Sequence, residues 1–368
     1  MRILVTGSQG FIGKNLLLRL SELGIHQVAT FDRGSTLNDL YSLVEDSDII
    51  FHLAGENRPK DEIDFQKANV DLSSEICKAI NQTERKIPIV FASSAQASLD
   101  NPYGKSKLAA EKLFEKLHQD ANSPVAIVSL PGVFGKWCKP NYNSVVATFC
   151  NNIANDIPIQ INNPNIVIDL VYVDDVINHF IRLIAHFPES FQLQRVSPQY
   201  QIGLGDLAKQ ILQFKESRNT LLTERVGDGL TRALYSTYIS YLPTSKFSYE
   251  LASHSDPRGT FVEMLKTPDC GQFSYFTAHP GVTRGGHYHH TKSEKFLVIK
   301  GKALFRFRQI QTNEAYEISI DGSSPEVVET IPGWSHDITN IGDDELIVML
   351  WANEIFDRKN PDTISAKV

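Results

Sequence analysis

The sequence predicts two folds in succession, an α/β domain built on a parallel sheet and then an all-β domain. Three observations carry this. Over the first 190 residues, short apolar runs alternate with amphipathic helical stretches, the pattern of a parallel sheet covered by helices. A glycine-rich turn, Gly7-Ser8-Gln9-Gly10-Phe11-Ile12-Gly13, joins the first apolar run to the first helical one. From about residue 249 the helical period gives way to short alternating runs split by turn residues, as in a β-barrel or sandwich.

Strands are expected at 3–6, 27–31, 48–53, 87–91 and 125–129, with helices between them that include 11–23 and 106–118. In the second part, runs at 273–277, 295–298, 303–308 and 346–351 are separated by turn signals such as His279-Pro280-Gly281, Gly285-Gly286 and Pro332-Gly333. The change falls near residues 234–249, where Tyr235, Tyr238, Tyr241 and Tyr249 flank Pro243. The expected domains are 1–243 and 249–368, with these tyrosines packing the two together. A length of 368 residues is enough for both.

Composition excludes several classes of function. A formal charge of −7 and the absence of any lysine- or arginine-rich run argue against nucleic acid as a partner. No apolar stretch reaches the roughly 18 residues that a membrane span needs. The first strand leads straight into the glycine motif, so no signal peptide is expected. Cys77, Cys138, Cys150 and Cys270 are scattered, with no C-x-x-C pair, which suits a reduced, cytoplasmic protein.

The glycine motif follows a strand and opens a helix, the context in which it binds a dinucleotide. Gly7 allows the tight turn, Gly10 lets the backbone approach a pyrophosphate, and Gly13 permits close helix packing. Its spacing is G-x-x-G-x-x-G, and the competing reading is a glycine-rich turn without a ligand. Tyr103 and Lys107 lie four apart at the start of a helix, hence on one face. An ammonium near a phenol favours the ionised phenol, and such a tyrosine exchanges a proton while hydride moves. Ser94, at the end of the preceding strand, is placed to hold a substrate oxygen. Asp32 and Arg33 end the second strand: the acid suits the ribose hydroxyl of NAD and the arginine suits the extra phosphate of NADP, so cofactor choice stays open between them.

These residues resemble the extended short-chain dehydrogenase/reductases that act on nucleotide sugars. The matching pieces also include His52-Leu53-Ala54-Gly55, Asn69-Val70, Ser93-Ser94-Ala95, Asn101-Pro102-Tyr103-Gly104-Lys105-Ser106-Lys107 and Val171-Tyr172-Val173-Asp174-Asp175-Val176. The resemblance implies a Rossmann-type doubly wound sheet. It implies Tyr103 as general acid, Lys107 on the nicotinamide ribose, and Ser94 polarising the carbonyl. The cofactor surface would be Gly7, Gly10, Phe11, Ile12, Gly13, Asp32, Arg33, Leu53, Ala54 and Gly55, with Tyr103 and Lys107, and the cofactor NADP. One departure is visible. Ser94 and Tyr103 are nine residues apart, where the family has a loop of about two dozen.

His287 and His289 are two apart in a strand-like run, which directs both side chains to one face. With Glu294 and His336 they make three imidazoles and a carboxylate, a set suited to zinc or another divalent metal. The competing reading is a surface histidine cluster. The pattern resembles the cupins, whose ligands correspond to these four residues. It is also similar to the deoxy-sugar 3,5-epimerases through Asp256-Pro257-Arg258-Gly259-Thr260-Phe261 and Arg284-Gly285-Gly286-His287-Tyr288. In those enzymes the residue corresponding to His287 is a base, so His287 has two readings, of which ligation is favoured.

A sugar reductase joined to an epimerase-like cupin resembles the CapF-type enzymes of bacterial capsule and O-antigen synthesis. Three stretches carry the likeness: Trp137-Cys138-Lys139-Pro140-Asn141-Tyr142-Asn143-Ser144-Val145, Leu234-Tyr235-Ser236-Thr237-Tyr238 and His289-His290-Thr291-Lys292. The resemblance implies a UDP-2-acetamido-2,6-dideoxy-4-ketohexose as substrate, epimerised at C3 and reduced at C4 by NADPH, in a cytoplasmic homodimer. Two other functions fit the same motifs. One is a redox-neutral NAD-dependent 4-epimerase or dehydratase with a structural cupin. The other is a non-catalytic NADP-binding regulator, although that has no need of Tyr103 and Lys107.

Overall fold

The structure, a computed structural model, describes residues 1–24, 27–256, 259–262, 265, 267, 271–354 and 359–368. Pro257 and Arg258 of the motif at 256–261, and Cys270, lie outside the described residues. By contacts the chain divides into two compact units without a single cut. The first holds 1–134, 141–144 and 168–201; the second holds 135–140, 145–167 and 202–368.

The first unit is the α/β fold. Its strands and helices alternate as β1 (Arg2–Thr6), α1 (Phe11–Leu23), β2 (Gln27–Phe31), α2 (Leu37–Glu45), β3 (Ile49–His52), α3 (Ile63–Phe65), α4 (Leu72–Gln82), β4 (Ile89–Ser94), α5 (Pro102–Ala121), β5 (Val125–Leu130), β6 (Gly132–Phe134), β7 (Val167–Tyr172), α7 (Val173–Ala185) and β8 (Gln192–Arg195). The helix α6 (Val145–Ala154) falls in the second unit. The main sheet has the order β2-β1-β3-β4-β5-β8, and each neighbouring pair is parallel. β6 and β7 form a small second sheet with β9 (Tyr200–Gly203). The side chains of β3 and β4 are all buried, as expected of strands covered on both faces. Leu4, Ile50, Ile89, Phe91 and Ile127 of the sheet pack with Ile76 and Ile80 of α4 and Ala110, Phe114 and Leu117 of α5. The chain reverses its direction across the sheet at β1, and ligands of such sheets sit at the carboxyl ends of the strands there.

The expected helix at 106–118 is longer in the structure. It begins at Pro102 because the Asn101 side chain accepts a hydrogen bond from Gly104 N at 2.8 Å and proline occupies the first turn, a strong start signal. Tyr103 is therefore in the first turn of α5 and Lys107 one turn further on.

The second unit carries α6, α8 (Leu204–Thr220) and α9 (Gly229–Ile239), then β10 (Ser248–Glu250), the hairpin β11 (Ser253–Asp256) and β12 (Gly259–Val262), β13 (Gln272–Ala278), β14 (Thr283–Tyr288), β15 (Glu294–Lys300), β16 (Lys302–Gln309), β17 (Ala315–Asp321), β18 (Glu326–Glu329), β19 (Trp334–Asn340), β20 (Leu346–Ala352) and β21 (Ile364–Ser365). Two five-stranded sheets result, β10-β18-β15-β20-β13 and β17-β16-β19-β14-β21, with antiparallel pairing. The chain leaves β14 in one sheet and enters β15 in the other.

The tyrosines at 235–249 work inside this unit. Tyr235 and Tyr238 are buried on α9, with ring centres 5.2 Å and 6.2 Å from Phe214 of α8. The Tyr235 hydroxyl donates to Glu329 of β18 at 3.3 Å, so the helices are tied to the β-sheets across the stretch where composition suggests a boundary. Among the described residues Cys77, Cys138 and Cys150 are buried and form no disulfide, and no helix is long and apolar enough to cross a membrane.

Candidate functional site

In the first unit the expected cofactor residues surround the carboxyl ends of β1 to β4. Gly7 follows β1 with φ +72°, and a Cβ there would stand 2.6 Å from Ala54 N, so no side chain fits between this turn and residues 53–55. A Cβ on Gly13 would meet Gly7 O at 2.3 Å, which lets α1 lie against the turn. Gly10 is the exposed N-cap of α1, with no side chain over it and no acidic residue in the first turn. The free N–H groups of a 13-residue helix are thus presented at this spot, which is suited to a phosphate. Beside it, Asp32 accepts from the Ser8 hydroxyl and from Gln9 N, the latter at 3.2 Å. Arg33 is almost fully exposed and pairs with Glu56 at 2.8 Å. Glu56 also accepts from the Tyr142 hydroxyl at 2.6 Å. Neither Glu56 nor Tyr142 stands out by spacing; the contact joins residues 86 apart.

Ser94 is the side chain set against the Tyr103 phenol. Burial raises Tyr103 above the ordinary phenol value and Ser94 opposes that rise. Lys107 is buried, with Nζ donating to Ala92 O at 2.7 Å and lying 4.2 Å above the Phe91 ring. Burial pushes it down to about 7, against the pull of Glu111. The expected lowering of the phenol by an adjacent ammonium is thus replaced by a phenol that burial keeps protonated. Asn69 supports the group: its amide donates to Ser106 Oγ and to Glu56 O, each at 2.9 Å, and its Oδ1 leaves no room for a Cβ on Gly55.

In the second unit His287, His289, Glu294 and His336 come together with their ligand atoms all within 4.8 Å of one another. His287 and His336 are directly paired on β14 and β19, which puts both on one face, with ring centres 4.7 Å apart. Glu294 heads β15 in the facing sheet. Its Oε2 is 3.2 Å from His289 Nε2 and 3.4 Å from His336 Nε2, and its Oε1 is 2.8 Å from Lys292 Nζ. Burial pushes the Glu294 carboxyl up, but His289 and His336 outweigh it and hold it well below the usual range. Burial, then the neighbouring imidazoles, push His287 down to about 3; burial also lowers His336. The buried Nε2 of His336 has no hydrogen-bond partner. Three imidazoles, an anionic carboxylate and an orphaned nitrogen facing a common point fit a divalent cation. The cluster opens into a cavity of about 220 Å³ lined by Phe276, Arg284, Phe296, Ile338 and Leu350.

The sequence places His287 and His289 on one strand. In the structure β14 ends at Tyr288, so His289 reaches the cluster from a turn. Lys292 and Asp362, which touch this group, carried no signal that pattern reading could use.

A doubly wound sheet with a glycine turn, and a Tyr/Lys helix start beside a serine at a strand end, define a nucleotide-dependent oxidoreductase or epimerase fold. The chain belongs to the NAD dependent epimerase/dehydratase family, which its residues 3–203 match; residues 254–364 match the polysaccharide biosynthesis C-terminal domain. Over its whole length it is 56% identical to a Pseudomonas aeruginosa protein named UDP-2-acetamido-2,6-beta-L-arabino-hexul-4-ose reductase, of which it covers 99%. It is similar over the full length of both chains to the crystal structure of the capsular polysaccharide assembling protein CapF from Staphylococcus aureus, with a TM-score of 0.68 at 39% identity. A UDP-glucuronic acid 4-epimerase from Bacillus cereus, solved with NAD, matches 60% of this chain and 84% of its own with a TM-score of 0.53. At 19% identity that likeness concerns the fold.

Proposed function

We propose that the chain is a bifunctional nucleotide-sugar enzyme. It inverts C3 of a UDP-2-acetamido-2,6-dideoxy-4-ketohexose and reduces the C4 ketone with NADPH. The product is UDP-2-acetamido-2,6-dideoxy-L-talose, a precursor of UDP-N-acetyl-L-fucosamine for capsule or O-antigen. Reduction is assigned to residues 1–243 and epimerisation to the cupin, 249–368. One observation carries the reading: Ser94 set against Tyr103, one helical turn from buried Lys107, in a chain 56% identical throughout to a protein named as such a reductase.

Bound NADPH supplies the hydride. The chain provides the rest. Gly7, Gly10, Phe11, Ile12 and Gly13 form the phosphate turn, with Leu53, Ala54 and Gly55 opposite. Arg33 is exposed to a 2′-phosphate that would compete with Glu56 for it, while Asp32 suits a ribose hydroxyl. Lys107 would hold the nicotinamide ribose. Ser94 donates a hydrogen bond to the C4 oxygen, and Tyr103 gives it a proton as the alcohol forms. A phenol raised by burial keeps that proton until the ketone oxygen takes it.

In the cupin, a C4 ketone makes the C3 proton acidic. A divalent ion, with zinc favoured by three nitrogens and one oxygen, supplies a Lewis acid when held by His287, His289, Glu294 and His336. The apolar walls formed by Phe276, Phe296, Ile338 and Leu350 keep water from the reacting carbon. Reduction then traps one epimer. The same reading makes the protein a cytoplasmic homodimer, which light scattering of the purified chain tests.

The deciding experiment supplies freshly generated UDP-4-keto-6-deoxy-HexNAc and follows NADPH absorbance. Oxidation with formation of the 6-deoxy-talose product supports the reading. Tightly held NAD with no net oxidation overturns it.

A further inference from the structure

His289 lies beyond the end of β14, so strand alternation does not aim it. What aims it is Asp362. The Asp362 carboxylate accepts from three consecutive backbone N–H groups: His290 at 2.8 Å, Thr291 at 2.6 Å and Lys292 at 2.7 Å. It also accepts from the Thr291 hydroxyl at 3.1 Å. The backbone carbonyl of the same residue accepts from His289 Nδ1. A carbonyl oxygen has no proton to give, so Nδ1 carries the hydrogen, and Nε2 is the nitrogen turned to the cluster, 3.2 Å from Glu294 Oε2. The residues that follow are fixed to the same edge. Ser365 pairs with His287 across β21 and β14, the Ser335 hydroxyl donates to Ala366 O at 2.6 Å, and Ala366 N donates to Gly286 O at 2.9 Å.

We propose that Asp362 is the positioning residue of the metal site: its side chain clamps the turn 289–292, and its carbonyl sets the tautomer and direction of His289. The proposal rests on the reading of His287, His289, Glu294 and His336 as metal ligands. Outer groups that hold a ligating histidine by its second nitrogen set its orientation and basicity, and their loss typically weakens metal binding about 10–100-fold. Asp362→Ala removes the side-chain acceptors that hold the turn and keeps the backbone carbonyl, so it reads the side chain's part in aiming His289. Asp362→Asn keeps the shape and one carbonyl-type acceptor, so it should restore most of the affinity.

The test uses the full chain, stripped with a chelator and titrated with zinc against an indicator of known affinity. Cobalt-loaded samples give a visible spectrum of the ligand set, and NADPH binding in each sample controls for folding. Expected results are one zinc per wild-type chain, about 10–100-fold weaker binding with an altered cobalt spectrum in Asp362→Ala, and a several-fold loss in Asp362→Asn. If Asp362→Ala does not fold, Asp362→Asn decides alone: a several-fold loss supports the clamp. Wild-type zinc affinity and cobalt spectrum in a folded variant overturn the clamp and leave the metal reading standing. A wild-type chain that takes up no zinc overturns the metal reading and this proposal together.

Discussion

Ser94 is set against the Tyr103 phenol although only nine residues separate them. A short 3-10 turn at Ala95–Ser98 and the Asn101 cap bring the helix start back onto the strand end. Gly104 is required for this, since a Cβ there would sit 2.2 Å from Gln96 O. The short loop therefore keeps the pair that a longer one would carry. Tyr103→Phe should lower NADPH oxidation by about 10²–10⁴ while cofactor affinity stays close to wild type. Steady-state rates and NADPH titration of the same samples check both halves of the expectation. Near-normal turnover would move the acid to another residue.

Arg33 is exposed but already paired with Glu56, so a 2′-phosphate must compete with a carboxylate for it. A charged hydrogen bond is worth about 1.5–3 kcal/mol, hence about 10–100-fold in affinity. Arg33→Ala should weaken NADPH by that order and NADH little. Titration of both nucleotides decides, and equal losses would leave Asp32 as the determinant and NAD as the cofactor.

Burial pushes Lys107 down to about 7, so its ammonium is present below that pH and lost above it. The cofactor is an anion and prefers the charged form. NADPH affinity of the free enzyme should therefore be highest below about pH 7 and decline as the pH rises through it. Lys107→Met should bind weakly with a flat profile. An affinity that rises over the same range would show that Lys107 is not the group facing the cofactor.

Much of the first unit was legible because its signals are local. Gly7, Gly10 and Gly13 are spaced for one turn, Tyr103 and Lys107 for one helical turn, and strand–helix alternation needs no long-range knowledge. His287 and His336 were legible as metal-ligand residue types, and antiparallel pairing brings them together. Contacts between distant residues were silent. Glu56 with Tyr142, and Asp362 with the turn at 289–292, follow from folded proximity that no pattern encodes. The stretch at 234–249 is of the same kind: a change in composition marks where helices give way to strands, while Arg218 before it and Tyr235 within it pair with Glu329 after it.

That pairing makes its own prediction. On β15, Glu294 turns to the histidines while its neighbour Lys295 turns to Glu329. Arg218 and Lys295 both pair with Glu329; Lys295 and Glu329 are buried and Arg218 is mostly so. Breaking a buried ion pair from one side costs about 3–5 kcal/mol, because a charge is left without a partner. Glu329→Gln should lower the melting temperature by several degrees. NADPH binding at 25 °C should be unchanged. Calorimetry with and without NADPH tests this, and an unchanged transition would mean that the three groups find other partners.

The two proposed reactions should separate by point substitution, since a cut between 243 and 249 would strip Glu329 of Arg218 and Tyr235. Enolisation at C3 needs the ketone, a base and the metal site; hydride transfer needs Tyr103 and NADPH. In heavy water without nicotinamide, the wild-type chain should exchange the C3 proton of the 4-ketose for deuterium. His336→Ala deletes a buried nitrogen that faces Glu294 at 3.4 Å and should stop that exchange and the formation of C3-inverted product. It should spare Tyr103-dependent reduction of the unepimerised ketone. Tyr103→Phe should do the reverse, keeping exchange and losing reduction. Mass and NMR analysis of the sugar show which carbon gains deuterium and which alcohol forms. Exchange that survives in His336→Ala, or that requires NADPH, would take the epimerase role away from the histidine cluster and leave the second unit a part in assembly alone.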